Sequence, residues 1–311
     1  MLRLGLIGAG RWGRNYIKSI NSLSGFELRY LVSRNPDSSS LVDSKCKIHT
    51  NVESILEQRD LDGVIIALPP NIQPQIAVDL ISAGFPVLMQ KPLALNLKDA
   101  LMIQRISKDK GLIVLVDHTY LFHPAFELLK KQVRDNKKIM SIYSMGWNWG
   151  PFRKEVDVLW DWLPHDIAMS LYIMKEYPKL IDVNQLENLE SPDKEGRIIN
   201  IQLEFPSGCV ADITVGNIRT PRKRYFKVKM RKKALVFDDC ANQKLILNNN
   251  GNIVPLNVPK EMPLDRVLKT FSKGINGKLD DRFGLGLSID VVRLLTEIDH
   301  LLLSKQNVCK N

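Results

Sequence analysis

The chain begins as an alternation of two patterns. Short unbroken apolar runs give way to longer stretches in which apolar side chains recur every three or four residues. Residues 2–7 form the first run, and Trp12, Tyr16, Ile17 and Ile20 then fall on one face of a helix. The rhythm repeats. Residues 26–32 read as a strand, 52–58 as a short helix, and 63–68 as a continuous apolar strand stopped by Pro69-Pro70-Asn71. A helix over 76–83 ends at Gly84, and 86–89 form another strand. A helix over 97–110 closes at Gly111, and 112–116 form a further strand running into Asp117-His118-Thr119-Tyr120. Apolar strands alternating with amphipathic helices predict βαβ units, hence a doubly wound parallel sheet covered on both faces. Right-handed crossovers then bring the C-terminal ends of its strands to one edge.

Near residue 120 the pattern changes. A connecting helix over 124–133 is followed by a strand over 139–149, with Tyr143, Met145, Trp147 and Trp149 at alternate positions. A helix containing 161–174 comes next. Strands over 198–205, 209–217, 224–231, 234–238 and 243–248, joined by short turns, predict a largely antiparallel sheet. A last amphipathic helix spans about 284–304. The predicted fold class is therefore α/β, in two domains: 1–120, and 121–311 with an open, mainly antiparallel sheet. The last helix is a candidate to pack back on the first domain.

The first apolar run ends in Gly8-Ala9-Gly10-Arg11-Trp12-Gly13, a G-x-G-x-x-G between strand and helix. In that context Gly8 permits the tight turn, Gly10 the approach of a pyrophosphate, and Gly13 close helix–strand packing. The helix N-terminus offers unpaired N–H groups to the phosphates. The second strand ends in Ser33-Arg34, where a carboxylate would bind a ribose 2′-hydroxyl. A hydroxyl and a guanidinium suit a 2′-phosphate instead, which favours NADP(H) over NAD(H). The expected cofactor contacts are Gly8, Gly10, Arg11, Trp12, Gly13, Ser33, Arg34, Leu68, Pro69, Asn71, Gln73, Gln90 and Lys91, all on loops at one sheet edge.

Composition changes this picture little. The formal net charge of +10 favours anionic partners in general. The densest basic run, 222–233, alternates Lys227, Lys229 and Arg231 with Val228 and Met230, the period of a half-buried strand with a solvated charged face. No nucleic-acid recognition motif accompanies it. No apolar run approaches the length of a membrane span, and the chain starts directly in a strand rather than a leader. The four cysteines, Cys46, Cys209, Cys240 and Cys309, are scattered, with no C-x-x-C. A cytoplasmic setting is expected, with neither nucleic acid, membrane nor metal as partner.

Lys91 lies between a strand end and Pro92, where an ammonium can stabilise negative charge developing on a reacting oxygen. Asp161 and His165 lie one helical turn apart. Pro164 between them predicts a helix beginning near Asp161, with that carboxylate at or near the N-cap. A carboxylate beside an imidazole makes a proton acceptor; the spacing alone favours a helix cap plus a satisfied histidine. His118, Tyr120 and Trp162 are further substrate candidates, while His49, His123 and His300 carry no signal. The tryptophans at 147, 149, 160 and 162 could stack on a sugar face, but for most of them the expected role is a core or a sheet interface.

Taken in order, the glycine turn, Pro69-Pro70-Asn71, Gln90-Lys91-Pro92-Leu93-Ala94-Leu95-Asn96 and Asp161-Trp-Leu-Pro-His165-Asp166 resemble the Gfo/Idh/MocA oxidoreductases over essentially the whole length. The resemblance implies an N-terminal Rossmann domain and a C-terminal α/β domain. It also implies homodimers or homotetramers built by packing sheet faces. The implied reaction is hydride transfer between a nicotinamide and a secondary alcohol or ketone of a sugar, cyclitol or nucleotide sugar. Lys91, Asp161 and His165 match the positions that act on such substrates. Two departures stand out: the glutamate of the family's E-K-P is Gln90 here, and the histidine common after P-P-N is Gln73. Two other readings remain open, a non-catalytic NADP(H)-binding sensor or scaffold and a polyanion binder working through 222–233.

Overall fold

The computed structural model describes residues 1–134, 138–153, 156–191, 194–278 and 283–308. Its chain forms two compact units: Met1–Thr119 with Met262–Val292, and Tyr120–Glu261 with Arg293–Asn311.

The first unit is a parallel sheet of β1 (Leu2–Ile7), β2 (Phe26–Val32), β3 (Lys47–His49), β4 (Gly63–Ile66), β5 (Val87–Gln90) and β6 (Val114–Asp117), in the order β3-β2-β1-β4-β5-β6. Every pairing in it is parallel. The order reverses direction between β1 and β4, which is where open α/β sheets leave a crevice at their C-terminal edge. Helices α1 (Arg11–Ser22), α2 (Glu53–Leu56), α3 (Gln73–Ser82) and α4 (Leu97–Lys110) are the crossovers. The amphipathic spacing of α1 buries Tyr16, Ile17 and Ile20. Helix α4 starts where the Asn96 side chain accepts the Asp99 N–H and stops where Gly111 turns left-handed, at φ 63°.

Two elements of this unit escaped the sequence pattern. Strand β3 is three residues long and half polar, so it shows no apolar run. Helix α7 (Pro263–Ile275) buries Leu264, Val267, Leu268 and Phe271. Phe271 lies so close over Gly63 that any Cβ there would come within 2.9 Å of its ring.

The second unit is built on β7 (Ile139–Trp149), at the middle of an eight-stranded sheet. Its other strands are β8 (Leu180–Ser191), β9 (Lys194–Glu204), β10 (Val210–Gly216), β11 (Ile218–Met230), β12 (Lys233–Asp238), β13 (Leu245–Asn249) and β14 (Asn252–Pro255), in the order β14-β13-β12-β11-β7-β10-β9-β8. Only β7 with β10 is parallel. Helices α5 (Pro124–Arg134) and α6 (Val158–Met174) cover one face of this sheet, and α8 (Leu285–Val308) is the last helix. Strand β8 has no counterpart in the sequence pattern: most of its residues are exposed, and its apolar ones, Leu180, Ile181, Val183, Leu186 and Leu189, do not alternate. Strand β11 alternates as predicted, with Phe226, Val228 and Met230 inside and Lys227 and Lys229 outward.

One boundary is corrected. Helix α6 begins at Val158, not near Asp161, because Asp157 is the N-cap and accepts the Leu159 N–H at 2.8 Å. Asp161 is a first-turn residue, and Pro164 sits inside the helix. Among the tryptophans, Trp160 is core, whereas Trp149 on β7 is half exposed. Cys46, Cys209 and Cys240 are free thiols; Cys309 lies outside the described residues. Among the described residues, no helix is long and apolar enough to cross a membrane, and no group of side chains could hold a metal ion.

Candidate active site

One row of paired residues crosses the parallel sheet: His49, Val32, Ile7, Ile66, Met89 and Val116. The next residues along the strands are Ser33, Gly8, Ala67, Gln90 and Asp117. Those residues, and the turns that follow them, therefore share one edge of the first unit. The alignment is fixed by main-chain bonds such as Gly8 N–H to Val32 C=O and Ala67 N–H to Ile7 C=O, both 2.9 Å.

At the switch point the three glycines differ. Gly8 has φ 103°, and a Cβ there would lie 2.5 Å from the Ala67 carbonyl oxygen. A Cβ on Gly13 would lie 1.9 Å from the Gly8 carbonyl oxygen, so helix α1 meets the turn at backbone contact. Around Gly10 there is open space, and no side chain caps the helix start. The first-turn N–H groups of α1 are thus available beside an unobstructed backbone, a geometry that fits a pyrophosphate. Ser33 is held in its turn by the Asn35 N–H and the Ser38 hydroxyl, both donating to its Oγ, at 3.1 and 2.7 Å. Arg34 beside it is exposed. Arg11 and Asn71 are exposed, Trp12 and Leu68 half-buried, Pro69 exposed, and Gln73 fully buried.

Next to this edge lies a buried polar cluster. Asp117 Oδ2 accepts the Tyr16 hydroxyl at 2.7 Å and the Gln90 amide N–H at 3.2 Å, and its Oδ1 accepts the Thr119 hydroxyl at 2.9 Å. Gln90 Oε1 accepts the Lys91 main-chain N–H at 3.1 Å, and the Gln73 amide donates to the Gln90 carbonyl at 3.3 Å. Lys91 itself is buried. Burial raises the Asp117 carboxyl against the pull of these donors and of the Lys91 charge. Burial and that same charge push the His118 imidazole down to about 3. His118 is therefore a neutral ring, with Nε2 at 3.2 Å from the Ser288 hydroxyl.

The remaining candidates belong to the second unit. His165 on α6 meets the Tyr120 ring edge-on, with centroids 5.0 Å apart. Tyr120 also carries the Arg224 guanidinium over its face at 4.2 Å. Arg224 bonds Asp166 at 2.9 Å, and Asp166 accepts the Ser144 hydroxyl at 2.5 Å. Gly146 makes room for this guanidinium, since a Cβ there would fall 2.3 Å from Arg224 Nη1. Asp161 pairs with Arg153 at 3.3 Å. With Trp162 it lines a cleft of about 780 Å³ that also takes in Arg197 and Lys305; His165 is not among the lining residues.

Residues 2–118 match the family described as "Oxidoreductase family, NAD-binding Rossmann fold", Gfo/Idh/MocA. A crystal structure from Magnetospirillum magnetotacticum MS-1, named as an oxidoreductase, is 34% identical, with TM-score 0.88 over 95% of this chain and 98% of that one. The chain belongs to the Gfo/Idh/MocA oxidoreductase family. UDP-N-acetylglucosamine 3-dehydrogenase of Acidithiobacillus ferrooxidans is 21% identical over 82% of this chain and 79% of its own, and its solved structure superposes with TM-score 0.85 over 96% and 97% of the two chains. Inositol 2-dehydrogenase of Rhizobium meliloti is 22% identical over 57% and 56%.

As a Gfo/Idh/MocA oxidoreductase, the protein carries residues near its candidate site that sequence reasoning passed over. Arg224 lies within the basic run 222–233. Its phase gave the signal: it falls in step with Phe226, Val228 and Met230, the buried positions of β11. Asp117 follows the last apolar run in the sequence, yet it ends β6 and is the residue on which the buried cluster converges. His123, without signal in the sequence, pairs with Asp239 at 3.4 Å and packs on Phe237.

Proposed function

We propose that this Gfo/Idh/MocA oxidoreductase uses NADP(H) in preference to NAD(H) and interconverts a secondary alcohol and a ketone on a sugar, cyclitol or nucleotide sugar. The observation that carries the reading is the open approach at Gly10, set between the crowded glycines 8 and 13 at the sheet's switch point. The nicotinamide, when bound, supplies or accepts the hydride; position and field are the protein's share.

In the oxidation direction His165 takes the hydroxyl proton. Asp161, one turn earlier on α6, orients the imidazole and supports its charge. Lys91 stabilises the developing alkoxide with its ammonium. Gly8, Gly10, Arg11, Trp12 and Gly13 hold the pyrophosphate, and Ser33 and Arg34 hold the 2′-phosphate. Leu68, Pro69, Asn71, Gln73 and Gln90 complete the cofactor's surroundings. His118, Tyr120 and Trp162 are substrate contacts, His118 as a neutral donor or acceptor. The working form is a homodimer or homotetramer. UDP-N-acetylglucosamine 3-dehydrogenase and inositol 2-dehydrogenase among the relatives set the substrate classes to try first.

The test is a panel of sugars, cyclitols and nucleotide sugars read by nicotinamide absorbance, with NADP(H) and NAD(H) in parallel. Turnover with at least one substrate, faster with NADP(H), is expected. Tight cofactor binding without turnover across the panel would favour the sensor reading instead.

A further inference from the structure

The family glutamate that precedes the lysine is absent here, and Gln90 stands in its place. We propose that Asp117, one strand over, is the positioning residue of Lys91: it sets the orientation of the Gln90 amide, through it the Lys91 backbone, and its carboxylate adds to the field at the ammonium. This rests on the role given to Lys91 above.

Gln90 and Asp117 are direct partners in the β5–β6 register, so their side chains are neighbours on one face. The amide bridges two fixed points, giving its N–H to Asp117 Oδ2 and taking the Lys91 main-chain N–H on Oε1. A glutamate at 90 could still accept the Lys91 N–H. It would also set a second carboxylate against a buried one, and like charges so close cannot both ionise. The amide at 90 and the carboxylate at 117 therefore explain each other: a buried carboxylate on β6 requires a donor, not an acid, beside it on β5. Gln73 pins the arrangement from the far side through the Gln90 carbonyl.

The groups facing Asp117 are the Tyr16 hydroxyl from α1, the Thr119 hydroxyl and the Gln90 amide. Lys91 is the cation whose field reaches it. Tyr16 stays protonated, because burial and the adjacent carboxylate push its phenol well up. His118, the other titratable neighbour, is uncharged. The Lys91 charge thus offsets part of the burial cost of the Asp117 carboxylate.

Asp117→Asn removes the charge while leaving the donors partnered. The amide oxygen can accept from Tyr16 and Gln90, and its NH₂ can donate to the Thr119 hydroxyl. Two readouts follow. The first is titration of Lys91 by NMR in protein carrying ¹³Cε-lysine, its signal assigned by loss in Lys91→Arg, which needs neither cofactor nor turnover. The second is the pH profile of kcat. In Asp117→Asn the Lys91 titration is expected to fall by about one pH unit. The basic limb of kcat should move with it, and kcat should drop about tenfold at unchanged KM. Gln90→Glu alone is expected to be impaired. The exchange Gln90→Glu with Asp117→Asn restores one acid and one amide and should bring both readouts back near wild type. If Asp117→Asn does not fold, the exchanged pair decides the matter by its Lys91 titration alone, and a displaced titration in that folded variant overturns the proposal. An unmoved Lys91 titration in folded Asp117→Asn also overturns it. Failure of the reaction proposed above would appear instead as absent wild-type turnover, with the NMR titration unaffected.

Discussion

Among the described residues each unit buries one carboxylate completely, and the two are held in opposite ways. Asp166 in the second unit faces a guanidinium, Arg224, at 2.9 Å, with Ser144 on its other oxygen. Asp117 in the first unit is hydrogen-bonded by neutral donors, Tyr16, Thr119 and Gln90. A buried acid locked to arginine is a clamp whose removal strands a charge. A buried acid held by neutral donors costs stability when ionised, which is tolerable where its field is used. The first arrangement fixes a sheet and helix beside His165; the second sits next to Lys91.

The largest expected effect breaks the clamp. Asp166→Asn leaves Arg224 buried without its counter-charge and should cost about 3–5 kcal/mol. Asp166→Leu combined with Arg224→Met should cost far less; urea unfolding of both variants checks this. A smaller effect comes from His118. Its folded pKa lies below the ordinary 6.5, at about 3. The stability it contributes is therefore present above pH 6.5 and is lost as pH falls toward 3. His118→Gln should flatten that acid limb of the melting temperature.

Asp117 has the opposite sign. Its folded pKa is raised, so its contribution is full below the ordinary carboxylate pKa and is lost as pH rises through the folded value. Asp117→Asn should therefore melt higher than wild type at neutral pH while turning over more slowly. Equal or lower melting would show that the site is an ordinary structural network. The smallest effect concerns the exposed end of the same edge. Arg34→Ala should reduce the NADP(H) to NAD(H) affinity ratio about tenfold, worth about 1.4 kcal/mol, measured by cofactor titration.

Much of the fold was legible because it rests on apolar periodicity. Strands 2–7, 26–32 and 139–149 and helix 97–110 fall where the pattern put them. What escaped carries no such signal: β3 is too short, and β8 is an exposed edge strand whose apolar residues do not alternate. The start of α6 is hidden because Pro164 suggests a first turn, whereas Asp157 caps the helix two turns earlier. The glycine turn is readable because its three positions have distinct steric demands: an added Cβ would clash at Gly8 and Gly13 and meet open space at Gly10. The Asp117 cluster was not readable. It depends on β5–β6 register and on Tyr16, a hundred residues away in sequence, and only the folded sheet brings these together.

The central claim is hydride transfer in which Lys91 and His165 act on the substrate. The direct measurement is kcat for wild type, Lys91→Ala and His165→Ala, side by side, on the best substrate of the panel with saturating NADP⁺. The expected result is a loss of at least about 100-fold in each variant, with cofactor binding retained. Turnover at the wild-type rate in both variants would contradict it.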